Sequence, residues 1–266
     1  MFLSFVSSDF DMAYDVIGNI AVIKGEDKTR KQKLEEARVL LKKPGIRTVL
    51  EKATNVQGRL RTIKTKHLLG EKTLIAECKE NNSVFKLNIE TCYFSPRLAN
   101  ERQLISEKIN ARDRVLVMFA GVGVYPIVIY RNKRPEKIVG IELGKECCKY
   151  FYENLKLNHI PEGKIEVIQG DVKKKINSKL GKFNVVIMAR PNLKESFLKW
   201  GLIASKKGTR LFYYGFCRDE DIGKMIEDLK KEAVELKRKI KIKEYVPACD
   251  IAPYKHRFRI EIEVLN

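Results

Sequence analysis

Apolar and polar positions along the chain fall into two textures that meet near residue 92. Residues 14–24 (YDVIGNIAVIK) read as two short strands or a hairpin about Gly18-Asn19. Over residues 27–43 the spacing of Leu34, Ala37, Leu40 and Leu41, opened by Asp27 and stopped by Pro44-Gly45, predicts a helix. Short β-like runs follow at 47–50, 59–65, 73–78 and 83–89. Turn residues separate them at Gly58, Leu69-Gly70-Glu71 and Asn81-Asn82-Ser83. The pattern predicts a small α+β domain over residues 1–92, a helix packed on a mostly antiparallel sheet.

Beyond it the alternation becomes regular. A helix at 99–109 leads into a strand at 114–119, a glycine turn and a helix through Tyr130. Strands at 137–142, 164–169, 183–188 and 209–216 alternate with helices at 145–158, 193–205 and 219–234, with none predicted between 164–169 and 183–188. Continuous apolar strands between helices predict a doubly wound, Rossmann-like α/β sheet over residues 93–266, with ligands at the carboxyl ends of its strands. Two closing strands, 237–246 and 256–264, have no helix between them and predict a terminal antiparallel hairpin.

Charge changes the picture. The 266 residues carry 53 Lys and Arg against 34 Asp and Glu, a net charge of +19. A lysine-rich, heat-adapted proteome gives such an imbalance, but a polyanionic partner accounts for it more directly, since Lys and Arg release counterions from phosphates. No apolar run approaches the roughly 18 residues of a membrane span. The opening segment lacks a basic n-region and a clean cleavage site, so it is expected to start a folded domain rather than to be a signal peptide. Six cysteines without CxxC spacing and three histidines make a metal site unexpected. Cys147-Cys148 reads as two helix thiols, and the chain as cytoplasmic and reduced. In Lys237-Arg-Lys-Ile-Lys-Ile-Lys243, an RNA-facing edge and an ordinary half-exposed strand are equally good readings.

The sharpest local signal is Val115-Leu-Val-Met-Phe-Ala-Gly-Val-Gly123, a strand running through Gly121-x-Gly123 into a helix. Glycines there let a nucleotide-like ligand approach the backbone. The next strand ends in Gly140-Ile-Glu142, where an acid accepts ribose hydroxyls. The third ends in Gly170-Asp-Val172, where a carboxylate can meet an adenine amino group. Pro126 replaces the third glycine of a dinucleotide fingerprint. A cofactor without a pyrophosphate, S-adenosylmethionine, therefore fits better than NAD.

Tyr93-Phe-Ser-Pro-Arg-Leu-Ala-Asn-Glu-Arg102 closely resembles a signature of the archaeal and eukaryotic tRNA (guanine-37-N1)-methyltransferases. That family is related to the wybutosine-pathway aminocarboxypropyl transferases. The resemblance extends to Tyr14-Asp-Val-Ile-Gly-Asn-Ile-Ala-Val-Ile23, Arg59-Leu-Arg-Thr62, Leu69-Gly-Glu-Lys72, Met118-Phe-Ala-Gly-Val-Gly123, Glu153-Asn-Leu-Lys-Leu-Asn158 and Gly170-Asp-Val172, in the family's order. It implies a class I methyltransferase domain that moves a methyl group to N1 of guanine 37, in the tRNA anticodon loop. Glu101 is implied as the base on N1, Arg61 as its assistant, and Pro191 as shaping the pocket. Tyr93, Phe119, Glu142, Leu143 and Asp171, with Gly121 and Gly123, are implied as cofactor contacts.

The chemistry is coherent. Guanine N1 carries a proton that a base must take, a guanidinium can steady charge on O6, and the base must leave its stack. Three departures from the family pattern stand out: Val117 where an acid is usual, Ala189 for the Asn of Asn-x-Pro, and Gly144-Lys145 for Asn-Pro. No room is expected for the family's elbow-binding N-terminal domain, a shortness shared with the aminocarboxypropyl transferases. The alternatives are therefore aminocarboxypropyl transfer to, or methylation of, a tricyclic wyosine precursor, and a degenerate tRNA-binding paralogue.

Overall fold

The computed structural model describes residues 13–24, 27–55 and 58–266. The opening segment 1–12, expected to begin a folded domain, lies outside the described residues.

The N-terminal sheet has the order β1-β2-β3-β4 and is formed by Tyr14–Ile17, Ile20–Ile23, Thr48–Lys52 and Thr65–Gly70. β1 and β2 form the expected hairpin. Helix α1 (Arg30–Leu41) then carries the chain across so that β2 and β3 run parallel, while β4 returns antiparallel. Thr29 rather than Asp27 caps α1, in a reciprocal capping box with Gln32. β2 is buried on both faces, which explains its unbroken apolar run. Ala21 and Ile23 pack with Ala37 and Leu40 of α1, whereas Ile20 and Val22 belong to the large core.

The run 59–65, expected as a strand, is instead a turn, and β4 begins only at Thr65. The backbone at Arg61 is left-handed (φ 57°), a conformation no strand accommodates. The runs near 73–78 and 83–89 do form strands, β5 (Ile75–Glu80) and β6 (Ser83–Asn88), but as a separate hairpin.

The large sheet has the order β12-β13-β11-β10-β7-β8-β9. Its strands are β7 (Arg114–Met118), β8 (Lys137–Glu142), β9 (Ile165–Gln169), β10 (Phe183–Met188), β11 (Ser205–Arg218), β12 (Ile240–Ala252) and β13 (Lys255–Val264). The helices that alternate with them are α2 (Ala99–Glu107), α3 (Val124–Lys133), α4 (Lys145–Leu157), α5 (Val172–Lys175), α6 (Leu198–Ala204) and α7 (Ile222–Glu235). β7 to β11 are mutually parallel, and β13 slots antiparallel between β11 and β12. The chain winds from β7 out to β9, then returns to β10 on the other side of β7. A crevice opens at this switch point, beyond the carboxyl ends of the strands. α6 starts at Leu198, five residues later than the expected 193, because residues 189–197 form a loop held from within by Arg190. Its Nη2 donates to the carbonyls of Leu193 and Glu195, at 2.7 and 2.8 Å.

One face of α4 binds three parts of the molecule. Phe151 is fully buried in a slot formed by two glycines. A Cβ on Gly123 would sit 2.1 Å from its ring and one on Gly140 2.7 Å. One turn further on, Asn154 accepts from Lys86 N–H and donates to the carbonyls of Lys86 and Val122. Asn158 pairs in the same way with both backbone groups of Val84. The two amides thus serve as an adjoining strand for β6 and attach the hairpin to the large domain.

Asn154→Ala leaves three backbone groups without partners, at about 1–3 kcal/mol for each that water does not reach. We expect an overall loss of about 2–4 kcal/mol in urea unfolding; a loss below about 0.5 kcal/mol would show that the hairpin is held by apolar packing alone.

Candidate active site

The crevice at the strand ends encloses about 1030 Å³, its open mouth included. Arg61, Tyr93, Phe119, Gly121, Glu142, Leu143, Asp171 and Pro191, all expected site residues, line it together.

At one end lies a carboxylate frame. After β7 the backbone turns sharply at Phe119 (φ 62°), which aims Gly121 N–H at Glu142. Glu142 Oε2 accepts that bond at 2.8 Å, and Oε1 accepts Gly144 N–H at 2.7 Å. Burial raises the pKa of Glu142, while these backbone donors hold it down. Each oxygen keeps a lone pair free, as a pair of ribose hydroxyls requires. Asp171, at the end of β9, caps α5 through Lys173 N–H and accepts a 2.8 Å ion pair from Arg59. The net effect lowers its pKa: burial opposes its charge, but Lys173 N–H and Arg59 outweigh that.

Arg59 and Arg61 reach the crevice from the turn between β3 and β4. The Arg61 guanidinium lies 3.5 Å from the centroid of the Tyr93 ring, a close cation–π contact. The N-terminal sheet therefore supplies one wall of the crevice.

Two expected residues do not line it. Gly123 caps α3 (φ 89°) and faces Phe151, so its missing Cβ makes room for the ring. Glu101, in the first turn of α2, is 4% exposed and lies one layer behind the wall. Arg259 Nη1 reaches both of its oxygens, at 3.0 and 2.8 Å, and Tyr214 donates to Oε1 at 2.5 Å. Tyr125, which does line the crevice, donates to Tyr214 at 3.2 Å. A hydrogen-bonded chain thus runs from the crevice to the Glu101 carboxylate. Arg102 turns the other way, to Glu80 and the Ser95 carbonyl. Consecutive residues of α2 therefore tie it to the large sheet and to the β5–β6 hairpin.

Sequence reasoning missed Arg59, Arg190, Arg257, Arg259, Tyr125 and Tyr214. For Arg257 and Arg259 a signal existed. They alternate with Phe258 and Ile260 in a strand that is paired on both sides in its sheet and buried on both faces, so a charge there needs a partner.

Five mutually parallel strands wound with helices, a reversed strand inserted next to the edge, and paired acids at the second and third strand ends define a class I methyltransferase. Residues 76–242 match the TRM5/TYW2 methyltransferase domain and residues 7–73 the TYW2 N-terminal domain. The chain belongs to the TRM5/TYW2 methyltransferase family. It is 32% identical over 240 residues to tRNA (guanine(37)-N(1))-methyltransferase Trm5b of Methanocaldococcus jannaschii, covering 89% of this chain and 68% of that protein. It is 29% identical to the tRNA (guanine(37)-N(1))/4-demethylwyosine(37)-methyltransferase Taw22 of Nanoarchaeum equitans, over 96% of this chain and 100% of that one. The structure of aTrm5 in complex with tRNALeu superposes with a TM-score of 0.84 at 28% identity, over 96% of this chain and 72% of that one. Among the described residues no helix is long and apolar enough to cross a membrane, and no group of three or more His, Cys, Asp and Glu side chains is placed to hold a metal ion.

Glu142→Ala removes both oxygens that a ribose diol is expected to meet. We expect at least about tenfold weaker S-adenosylmethionine binding by calorimetry, the worth of one or two charge-assisted bonds. Binding to the unaltered protein should fall on acidification as Glu142 protonates. Because burial raises its pKa, the fall should begin above the ordinary 4.5.

Proposed function

We propose that the chain transfers the methyl group of S-adenosylmethionine to N1 of guanine 37 in tRNA, reaching the base in the anticodon loop. The observation that carries this reading is the convergence of Arg61, Tyr93, Glu142, Asp171 and Pro191, from both domains, on one crevice. Its residues fit the cofactor. Asp171 would meet the adenine amino group and Glu142 the ribose, with Tyr93, Phe119 and Leu143 packing around them. When bound, the cofactor supplies an electrophilic methyl on a sulfonium, which leaves with the electron pair of the carbon–sulfur bond.

The chain's own residues handle the proton. Tyr125 accepts it from N1 as its own hydroxyl proton passes to Tyr214, which passes its proton to Glu101. The N1 lone pair is then free to form the new carbon–nitrogen bond, and the proton rests on Glu101. Arg61, stacked on Tyr93, borders the acceptor as a positive wall, and Pro191 fixes the turn beside it. We assign RNA contact to the small N-terminal unit and transfer to the larger one. The expected division at 92/93 is kept for the chain path, while the β5–β6 hairpin goes with the larger unit by packing. The +19 charge favours tRNA as partner, and the unbridged thiols suit a cytoplasmic setting.

A second reading, methylation of a tricyclic wyosine precursor at the same position, is favoured by the likeness to Taw22, which extends over that protein's whole length. The test uses cofactor labelled in the methyl group or in the aminocarboxypropyl arm. Each is incubated with G37 transcripts or with tRNA bearing the tricyclic base, and products are identified by nucleoside mass spectrometry. Methyl label in 1-methylguanosine is expected, with Glu101→Ala and Tyr125→Phe each at least about 100-fold slower. Transfer of the other arm, or binding without any transfer, would overturn the reading.

A further inference from the structure

Among the described residues, the acceptor end of the crevice contains a charge with no anionic partner. Arg257 sits on β13 opposite Phe216 of β11, lines the crevice, and is only 6% exposed. No carboxylate among the described residues lies within ion-pair distance of it, and its Nε is buried without a hydrogen-bond partner. Its guanidinium rests 4.1 Å from the centroid of the Tyr214 ring, the ring whose hydroxyl leads to Glu101. The neighbouring Arg190 is also buried, and the charge of Arg257 adds to the burial that lowers the Arg190 pKa. Arg190, however, is committed to the 189–197 loop, whereas among the described residues Arg257 rests against the rings of Tyr214 and Phe216.

A buried guanidinium without an anion is costly to keep. Its position indicates what relieves it. Along the sheet, Asp171 and Glu142 sit at the ends of β9 and β8, Pro191 just beyond β10, and Arg257 two strands further on. Arg257 therefore lies on the acceptor side of Pro191, away from the adenosine frame. The carboxylate that would take the N1 proton already has both oxygens engaged by Arg259. Such a group needs an acceptor base made more acidic than usual. Loss of the N1 proton spreads negative charge onto the purine O6, and a fixed donor there lowers the cost of ionisation. Arg61, the guanidinium expected to assist at the base, is stacked on Tyr93, and Ala189, in the wall beside Pro191, offers no side-chain donor, so an O6 with two lone pairs has room for a second guanidinium.

We propose that Arg257 is a further catalytic residue, donating to the purine O6 as charge develops on it and so making N1 acidic enough for the Tyr125–Tyr214–Glu101 chain to take its proton. The inference rests on the proposed N1 methylation. No atom is exchanged with Arg257, which stays protonated throughout.

The test compares the wild-type chain with Arg257→Met and Arg257→Lys in single-turnover methylation of a G37 transcript from neutral to alkaline pH. Direct binding of tRNA and of cofactor is measured in parallel. At neutral pH Arg257→Met is expected to be slower by about 100-fold or more, the usual effect of losing one oxyanion donor. The deficit should shrink as pH rises into the range where guanine N1 ionises unaided. Arg257→Lys should recover part of the rate, and both affinities should stay within about threefold. A deficit equal at every pH would overturn the proposal and leave Arg257 a structural residue. Weakened tRNA binding with a reduced salt dependence would reassign it to a phosphate, and weakened cofactor binding would reassign it to the methionine carboxylate. If the wild-type chain makes no 1-methylguanosine, the functional reading fails first and the inference with it; if it does, a pH-independent deficit sinks the inference alone.

Discussion

The packing of a single helix face determines where everything else can be. Cys147, Phe151, Asn154 and Asn158 recur at helical spacing on the inner side of α4, and each meets a different part of the molecule. The ring of Phe151 fits only because Gly123 and Gly140 lack a Cβ, so α4 lies close against β8 and the start of α3. That closeness brings Asn154 and Asn158 within reach of β6 and puts Cys147 in the crevice wall. The hairpin held by these amides shares its core with Ile20, Val22 and Leu50 of the N-terminal sheet. Contact by contact, the position of the N-terminal sheet relative to the crevice is inherited from one aromatic ring in a glycine slot. The wall built by Arg59 and Arg61 depends on that chain of contacts, although neither residue touches α4 through any bond described above.

Charge is used differently at the two ends of the crevice. At the end lined by Glu142 and Asp171 the carboxylates border the crevice: Glu142 is restrained by backbone N–H groups, neutral donors that need no counter-charge, and Asp171 by a backbone N–H and the partly exposed Arg59. At the acceptor end the charges are side chains buried in the sheet. For Arg259, burial opposes the charge, and the attraction and hydrogen bonds of Glu101 more than restore it, so its pKa rises. Taking such a pair out of water costs several kcal/mol per ion before attraction repays it, so the pair is poor evidence of a stability device. Its position next to Tyr214 gives it a different value, since it fixes the hydrogen-bond direction of a buried hydroxyl chain. Burial and the neighbouring Tyr125 and Glu101 hold the Tyr214 pKa well above its ordinary value, so in the proposed relay it would pass a proton on without resting as a phenolate.

Much of the fold was legible because its strands are covered on both faces and so read as unbroken apolar runs. β8 and β10 fall at their expected limits, and the reversed final pair followed from the missing helix. What could not be read was which sheet a short strand joins. β5 and β6 have ordinary strand patterns, and partners far away in sequence, Asn154 and Asn158 some seventy residues on and Asn19 nearly sixty before, decide where they pack. At the site, residues announced by strand ends or by a family string were legible: Glu142, Asp171, Tyr93 and Pro191 all reach the crevice. Glu101 was legible as a residue but not as a location, because helix spacing does not reveal that an arginine 158 positions later will face it. Gly123 belongs to a motif with two physical roles, ligand approach and close packing, and a glycine reports both with the same letter.

The departures from the family pattern become intelligible in three dimensions. Val117 is fully buried in the middle of β7, flanked by Gly140 of β8 and Ile187 of β10. An acid there would need a buried partner, and both flanking positions are apolar. Ala189 stands in the crevice wall with no polar group to offer, while two guanidiniums, those of Arg190 and Arg257, occupy the same end. A neutral amide and a guanidinium make different demands on an acceptor: the first needs a well-aligned carbonyl, the second an atom that gains negative charge. If Arg257 meets the acceptor as proposed, losing the amide and keeping the arginine would shift recognition from the ground-state base towards its ionised form. Such a shift would suit the proposed proton acceptor, Glu101, which is buried behind two tyrosines.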